Sequence, residues 1–121
     1  MKKRSRLTAR SDFQRLLTGR RLYAGATLVG FASPGRTSRS RVGVSTSRQI
    51  RGAVARNRAR RRVREAVRIR LLRDGSNDSM GPGPGITFDV VLIARPQALT
   101  AAFEKIEAEV GEFGVRLFRS N

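Results

Sequence analysis

Residues 41–73 read RVGVSTSRQIRGAVARNRARRRVREAVRIRLLR, and residues 86–94 read ITFDVVLIA. Arg41 to Ser47 alternates: Val42, Val44 and Thr46 fall on one side, and Arg41, Gly43, Ser45 and Ser47 on the other. That period of two predicts a strand with one buried face. From about Arg51 to Arg73 the period changes. At 100° per residue Ala59, Val63, Ala66, Val67 and Leu71 share one side of a helix. Ile86 to Ala94 is almost continuously apolar, as expected of a strand covered on both faces. A strand, a long helix and a buried strand make a crossover unit. The chain is therefore expected to be α+β: a small α/β sandwich, with helices packed on a mixed sheet.

The flanking segments complete that sheet. Ser11-Asp12-Phe13-Gln14 has the form of a capping box, opening a short helix that stops before Gly19. Leu22 to Ser33 is small, branched or aromatic and reads as one extended strand. Pro34-Gly35-Arg36-Thr37-Ser38 turns the chain. Thr100 is placed to cap a last helix with the stripe Phe103, Ile106, Val110, Phe113 and Leu117, which Gly111 and Gly114 should weaken. Three helices result. The run DGSNDSMGPGPG, residues 74–85, suits neither helix nor strand and is expected to be a flexible loop. Residues 1–10 are expected to form a basic arm on a single domain spanning 1–121.

Charge sets the function class. The 121 residues carry 26 Lys+Arg against nine Asp+Glu, a net charge of +17. Self-repulsion on that scale calls for a polyanionic partner. Arginine far outnumbers lysine. A high-GC genome accounts for much of that ratio but not for the net charge. There is no Cys and no His. Disulfides, Cys/His zinc sites and histidine-based catalysis are thereby excluded. No apolar run is long enough to span a bilayer, and no apolar segment follows the basic start as a secretory signal would require. A cytoplasmic protein without membrane contact is expected.

The long helix sharpens the class to nucleic acid. Opposite its apolar stripe lie Arg58, Arg61, Arg64, Glu65 and Arg68. An ordinary solvated face mixes its signs, yet Glu65 is the only acid between Arg48 and Arg73. Helical pairs thus cannot neutralise these arginines. Arg56 and Arg60 fall near the apolar stripe, so the first turns cannot pack on the core as the later ones do. They should project past the sheet or line a cleft, with arginines disposed around Asn57. The helix amino terminus also favours phosphate. No helix-turn-helix, zinc finger or basic zipper is visible, and contacts of this kind position a backbone more than they read bases.

The strand residues 41–48, RVGVSTSR, followed by residues 53–65, AVARNRARRRVRE, resemble the protein subunit of bacterial ribonuclease P. The triplet Arg56-Asn57-Arg58 matches that family's RNR signature, with basic residues at its helical offsets in Arg60, Arg61 and Arg64. The similarity extends to Asp12-Phe13 and to the strand from Asp89 to Arg95. It implies an unusual left-handed βαβ crossover, which the ordinary handedness rule would argue against. It also implies an activity: support of endonucleolytic 5′ maturation of tRNA, in which the partner RNA is the catalyst and mainly holds Mg²⁺. The implied partners are that catalytic RNA and the 5′ leader of precursor tRNA; no obligate protein partner follows. On this basis Arg48, Arg56, Asn57, Arg58, Arg60, Arg61, Arg64 and Arg68 are the expected RNA contacts. Phe13, Leu17 and Phe31 are expected in a leader-binding cleft, where aromatics could stack on bases. Leu17 stands where the family often has an aromatic residue. Arg62 stands where it is usually aliphatic. For Phe13 and Phe31 a core role weighs equally.

No catalytic or metal-binding protein side chain is expected. The nine acids are scattered, which disfavours a protein-only two-metal nuclease. A small structural RNA-binding protein, such as a ribosomal one, would share the charge and size; the RNR spacing separates the two readings.

Overall fold

The computed structural model describes residues 10–36, 40–71 and 87–119. In chain order these form α1 (Arg10–Leu17), β1 (Arg20–Ala24), β2 (Leu28–Pro34), β3 (Arg41–Thr46), α2 (Ala53–Arg70), β4 (Phe88–Ala94), a 3-10 turn (Pro96–Leu99) and α3 (Phe103–Arg119). The expected basic arm, apart from Arg10, and the 74–85 loop lie outside the described residues.

The strands lie in the order β1-β2-β4-β3. β2 is antiparallel to both β1 and β4, whereas β3 and β4 run parallel. Parallel neighbours need a crossover connection, and α2 lies within the one joining β3 to β4. The sheet is mixed and carries three helices, as the sequence predicts.

Cross-strand partners share a face, so the register separates the two sides of the sheet. Val42 pairs with Val90, and Val44 with Leu92. These four belong to one buried cluster with Ala59, Val63, Ala66 and Val67 of α2 and Ile106, Val110, Phe113 and Leu117 of α3. On the other face Val91 is buried against Leu16 of α1, with Ile93 beside them. β4 is therefore covered on both sides, and its unbroken apolar run follows from that. α3 buries its predicted stripe, with Phe103 half-buried at the edge. Gly111 and Gly114 do not interrupt it.

Three sequence expectations are corrected. Leu22–Ser33 is not one strand but parts of two, β1 and β2, joined by a turn at residues 25–27. A carboxylate more than eighty residues away closes that turn. Glu109, only 4% exposed, accepts the Thr27 amide on both oxygens at 3.1 and 3.2 Å and the Tyr23 hydroxyl at 3.1 Å. A Cβ on Gly25 would come within 1.9 Å of Glu109 Oε1, so the turn needs glycine there. Burial, reinforced by the Glu109 charge, pushes the Tyr23 hydroxyl up to about 12. The second correction concerns α1, which already includes Arg10 and Ser11, so Ser11 lies within the helix rather than ahead of it. Thirdly, Thr100 does not cap α3. Pro96 opens a 3-10 turn, the Thr100 amide donates to the Gln97 carbonyl at 3.2 Å, and α3 starts three residues later.

Candidate nucleic-acid interface

α2 leaves the sheet edge through a short connection after β3. The buried Ile50 anchors it, and the Ser47 amide ties it to the Ala94 carbonyl at 2.8 Å. Arg48 sits exposed in this connection. Gly52 precedes the helix with φ of 90°, a left-handed conformation that costs a side-chain-bearing residue far more than glycine. No side chain caps the helix, and its first turn holds no acid. The amino-terminal amides and their positive dipole are thus left without a side-chain anion.

The helix then divides. Val54 is 84% exposed, and Ala59 is its first fully buried residue. Around Asn57 the arginines spread in several directions: Arg58 and Arg61 are exposed, Arg56 and Arg60 half-buried. Arg60 donates to Asn57 Oδ1 at 2.6 Å, which fixes the middle residue of the triplet to the turn that follows. Among the described residues none of Arg56, Arg58, Arg60 and Arg61 forms an ion pair. Val54, Asn57, Arg58, Arg61 and Arg62 line an open depression of about 540 Å³. Guanidinium groups on such a surface can each grip a phosphate through two hydrogen bonds.

Later turns behave differently. Val63, Ala66 and Val67 are fully buried, and Arg64 is half-buried. Arg68 forms an ion pair with Glu65; the hydrogen bond from Arg68 holds the Glu65 carboxyl below its usual range. Arg70 approaches Glu107 of α3 at 3.5 Å. Arg68, expected among the RNA contacts, therefore carries its own counter-ion. Arg62 is explained as well. Its guanidinium reaches the Ala98 and Ala101 carbonyls, both at 2.7 Å, and so ties α2 to the 3-10 turn. A charged side chain takes a place on the packed side because its fork meets two carbonyl acceptors there.

Of the residues expected in a cleft, Phe31 lies on the opposite face of the sheet, and Leu17 belongs to the helix that covers that face. Phe31 pairs with Val91 in the register, on the face that α1 covers. It is half-buried and belongs to neither buried cluster. Leu17, at the end of α1, is 44% exposed, and the Phe13 side chain lies outside the described residues. At one end of this face is an ion network that sequence reasoning missed. Asp89, fully buried, accepts from Arg41 Nε at 3.1 Å and Nη2 at 2.8 Å, and from Arg15 Nη2 at 2.7 Å. Two guanidiniums thus converge on one buried carboxylate. A lone Asp in an apolar strand was the available signal, because a buried carboxylate needs partners.

Fold and surface together define a small α+β protein whose arginine-rich crossover helix is unneutralised in its first turns. The family model for Ribonuclease P matches residues 1–117. A Roseiflexus sp. ribonuclease P protein component is 39% identical over 111 residues, covering 91% of this chain and 83% of the relative. That of Dehalococcoides mccartyi is 36% identical over 110 residues, covering 91% and 82%. The ribonuclease P protein from Thermotoga maritima superposes with a TM-score of 0.67 at 24% identity, covering 94% of this chain and 96% of that one. The chain belongs to the ribonuclease P protein family. It is thus the protein part of a ribonucleoprotein endoribonuclease that matures the 5′ end of tRNA together with an RNA component. Among the described residues, no helix is long and apolar enough to cross a membrane.

Proposed function

We propose that the first turns of α2 hold phosphates of the catalytic ribonuclease P RNA, and that the α1-side face of the sheet receives the 5′ leader of precursor tRNA. One observation carries the first assignment. Among the described residues Arg56, Arg58, Arg60 and Arg61 surround Asn57 with no carboxylate paired to them, while arginines further along the same helix have one. Arg48 and Arg64 flank the group, and the uncapped amino terminus adds its dipole. For the leader, Phe31 and Leu17 offer partly open apolar surface beside the Arg15–Asp89–Arg41 network, which holds two guanidiniums at that end of the face. Backbone charge and base stacking are the two contributions a single strand requires.

In this reading the protein holds and orients RNA and supplies no reacting group. Among the described residues no three His, Cys, Asp or Glu side chains converge as a metal site would need. The Mg²⁺ that the family implies is in this reading held mainly by the RNA, where it would activate water and stabilise the leaving oxygen. The protein's cations would lower the repulsion between two RNA strands that must approach one another.

The test is stimulation. Added to a bacterial ribonuclease P RNA at low Mg²⁺, the protein should strongly increase cleavage of a precursor tRNA bearing a leader of several nucleotides. Shortening the leader should reduce the gain. No stimulation with a folded cognate RNA would overturn the reading.

A further inference from the structure

A second group of arginines stands apart from α2. Arg20 and Arg21 of β1 and Arg116 and Arg119 of α3, with Leu22, line an open depression of about 260 Å³. β1 is one edge of the sheet, and β3, from which α2 departs, is the other. This cluster and the arginines around Asn57 therefore belong to different sides of the molecule.

Ordinary structural roles account for only part of it. Arg116 and Arg119 fall in the last turn of α3, where cations complement the helix dipole. Arg116 is also held in place. Its Nε lies 3.3 Å from Glu112, its Nη1 donates to the Leu22 carbonyl at 3.1 Å, and its guanidinium sits 5.1 Å from the centre of the Tyr23 ring. None of this calls for Arg20 and Arg21, which come from the strand that α3 packs across. Both are exposed, and among the described residues neither they nor Arg119 forms an ion pair. Three unneutralised arginines beside a fixed fourth repel one another, at a cost that a polyanion would remove.

We infer that this β1–α3 surface is a second phosphate-binding site, and that its ligand is an RNA backbone. The inference rests on the proposed RNA partner only for the identity of the polyanion. Charge disfavours the other candidate for an edge strand, a second copy of this chain: pairing β1 with β1 would bring two Arg20–Arg21 pairs together along one short edge. Arginine rather than lysine at all four positions suits the forked geometry of phosphate. With one site at each side, a single RNA fold could be held at two points, or the catalytic RNA at one and a distal RNA segment at the other.

The experiment compares three proteins: the full chain, Arg20→Gln/Arg21→Gln/Arg119→Gln, and a charge-matched control, Arg70→Gln/Arg95→Gln/Lys105→Gln. Arg116 is left alone because it supports the fold. Binding to ribonuclease P RNA is measured across salt concentrations, with circular dichroism to confirm folding. Removing one phosphate-binding arginine lowers the salt slope by about 0.7–0.9, so the patch variant, which lacks three, should lose about two to three units of slope and bind on the order of tenfold more weakly at physiological salt. The control should change less. Equal loss in both variants, or none in the patch variant, overturns the site. A crosslinker on Arg119→Cys, in a chain with no other thiol, gives a second measurement: labelling of the RNA supports the site, and its absence in a saturated complex refutes it. Failure of the functional reading looks different, because RNA cleavage would then go unstimulated while the patch variant still lost RNA affinity.

Discussion

The two halves of α2 have nearly the same composition and opposite fates. In residues 53–61 the helix is arginine-rich, poorly buried and without carboxylates; in residues 62–71 it is equally arginine-rich, yet packed and paired. The apolar positions decide the difference. Val63, Ala66, Val67 and Leu71 recur at the helical period and anchor the later half between the sheet and α3, whereas Ala55 and Ala59 give the first half only a shallow hold. Arg68 finds Glu65 one turn away on the same helix, and docking of the later half brings Arg70 close to Glu107 on α3. The earlier half is carried rigidly with it, but without a paired acid among the described residues. A packed half thus presents a charged half, and the conformational cost of ordering the charged turns is met before any ligand arrives.

The widest separation of the two halves comes from truncating one residue in the packed half and two in the charged half. Leu71→Ala removes a buried side chain that packs in the main core and should cost about 2–5 kcal/mol of stability. RNA affinity of the fraction that remains folded should hardly change. Arg58→Ala/Arg61→Ala should do the reverse. Both side chains are exposed, so stability should stay within about 0.5 kcal/mol of the parent. The salt slope of RNA binding should fall by about 1.5. Denaturant titration and salt-dependent binding on the same samples check both. An unchanged salt slope in the arginine variant would mean that the first half is only a solvated face.

Arg62 is the exception that sharpens the division, because it stands near the boundary yet works as a structural residue. Arg62→Ala strands the Ala98 and Ala101 carbonyls and frees the 3-10 turn. The expected loss is about 1.5–3 kcal/mol, the range for hydrogen bonds to charged groups. Arg62→Lys should recover only part, since a single ammonium does not reproduce the fork that reaches two carbonyls. Full recovery with lysine would assign Arg62 to general charge instead.

How far the sequence discloses this arrangement depends on the distance over which each feature is determined. The packed stripe of α2, the double coverage of β4 and the crossover between parallel strands are set by local periodicity, and they are legible residue by residue. So is the exposed disposition of Arg58 and Arg61, because an unneutralised helix face shows in the spacing of its acids. The turn at residues 25–27 is not legible, since Glu109, far along the chain, closes it. Arg62 shows only as an odd residue at an apolar position; its partners are carbonyls of a 3-10 turn that periodicity does not reveal. The Arg15–Asp89–Arg41 network and the β1–α3 arginines are likewise assembled from segments that only the folded sheet brings together.

The smallest expected effect probes the one counter-ion that α2 carries for itself. Glu65 engages Arg68 on the exposed side of the helix, and exposed pairs contribute little to stability. Glu65→Gln should therefore leave the unfolding transition where it is. It should also remove a negative charge from the face and release Arg68, so RNA binding should tighten by about twofold to fivefold at low salt, an advantage that screening then erodes. The pH dependence carries a definite sign. Because the Arg68 hydrogen bond holds the Glu65 carboxyl below the usual carboxylate range, the pair is intact throughout the neutral range, and it is lost only as pH falls through the lowered value. Parent and variant should thus keep a constant affinity ratio around neutrality and converge only in acid. Titration of binding against pH checks this. Were Glu65→Gln instead to weaken RNA binding at neutral pH, Arg68 would act in its paired form, and the boundary between the charged and packed halves would move one turn further along the helix.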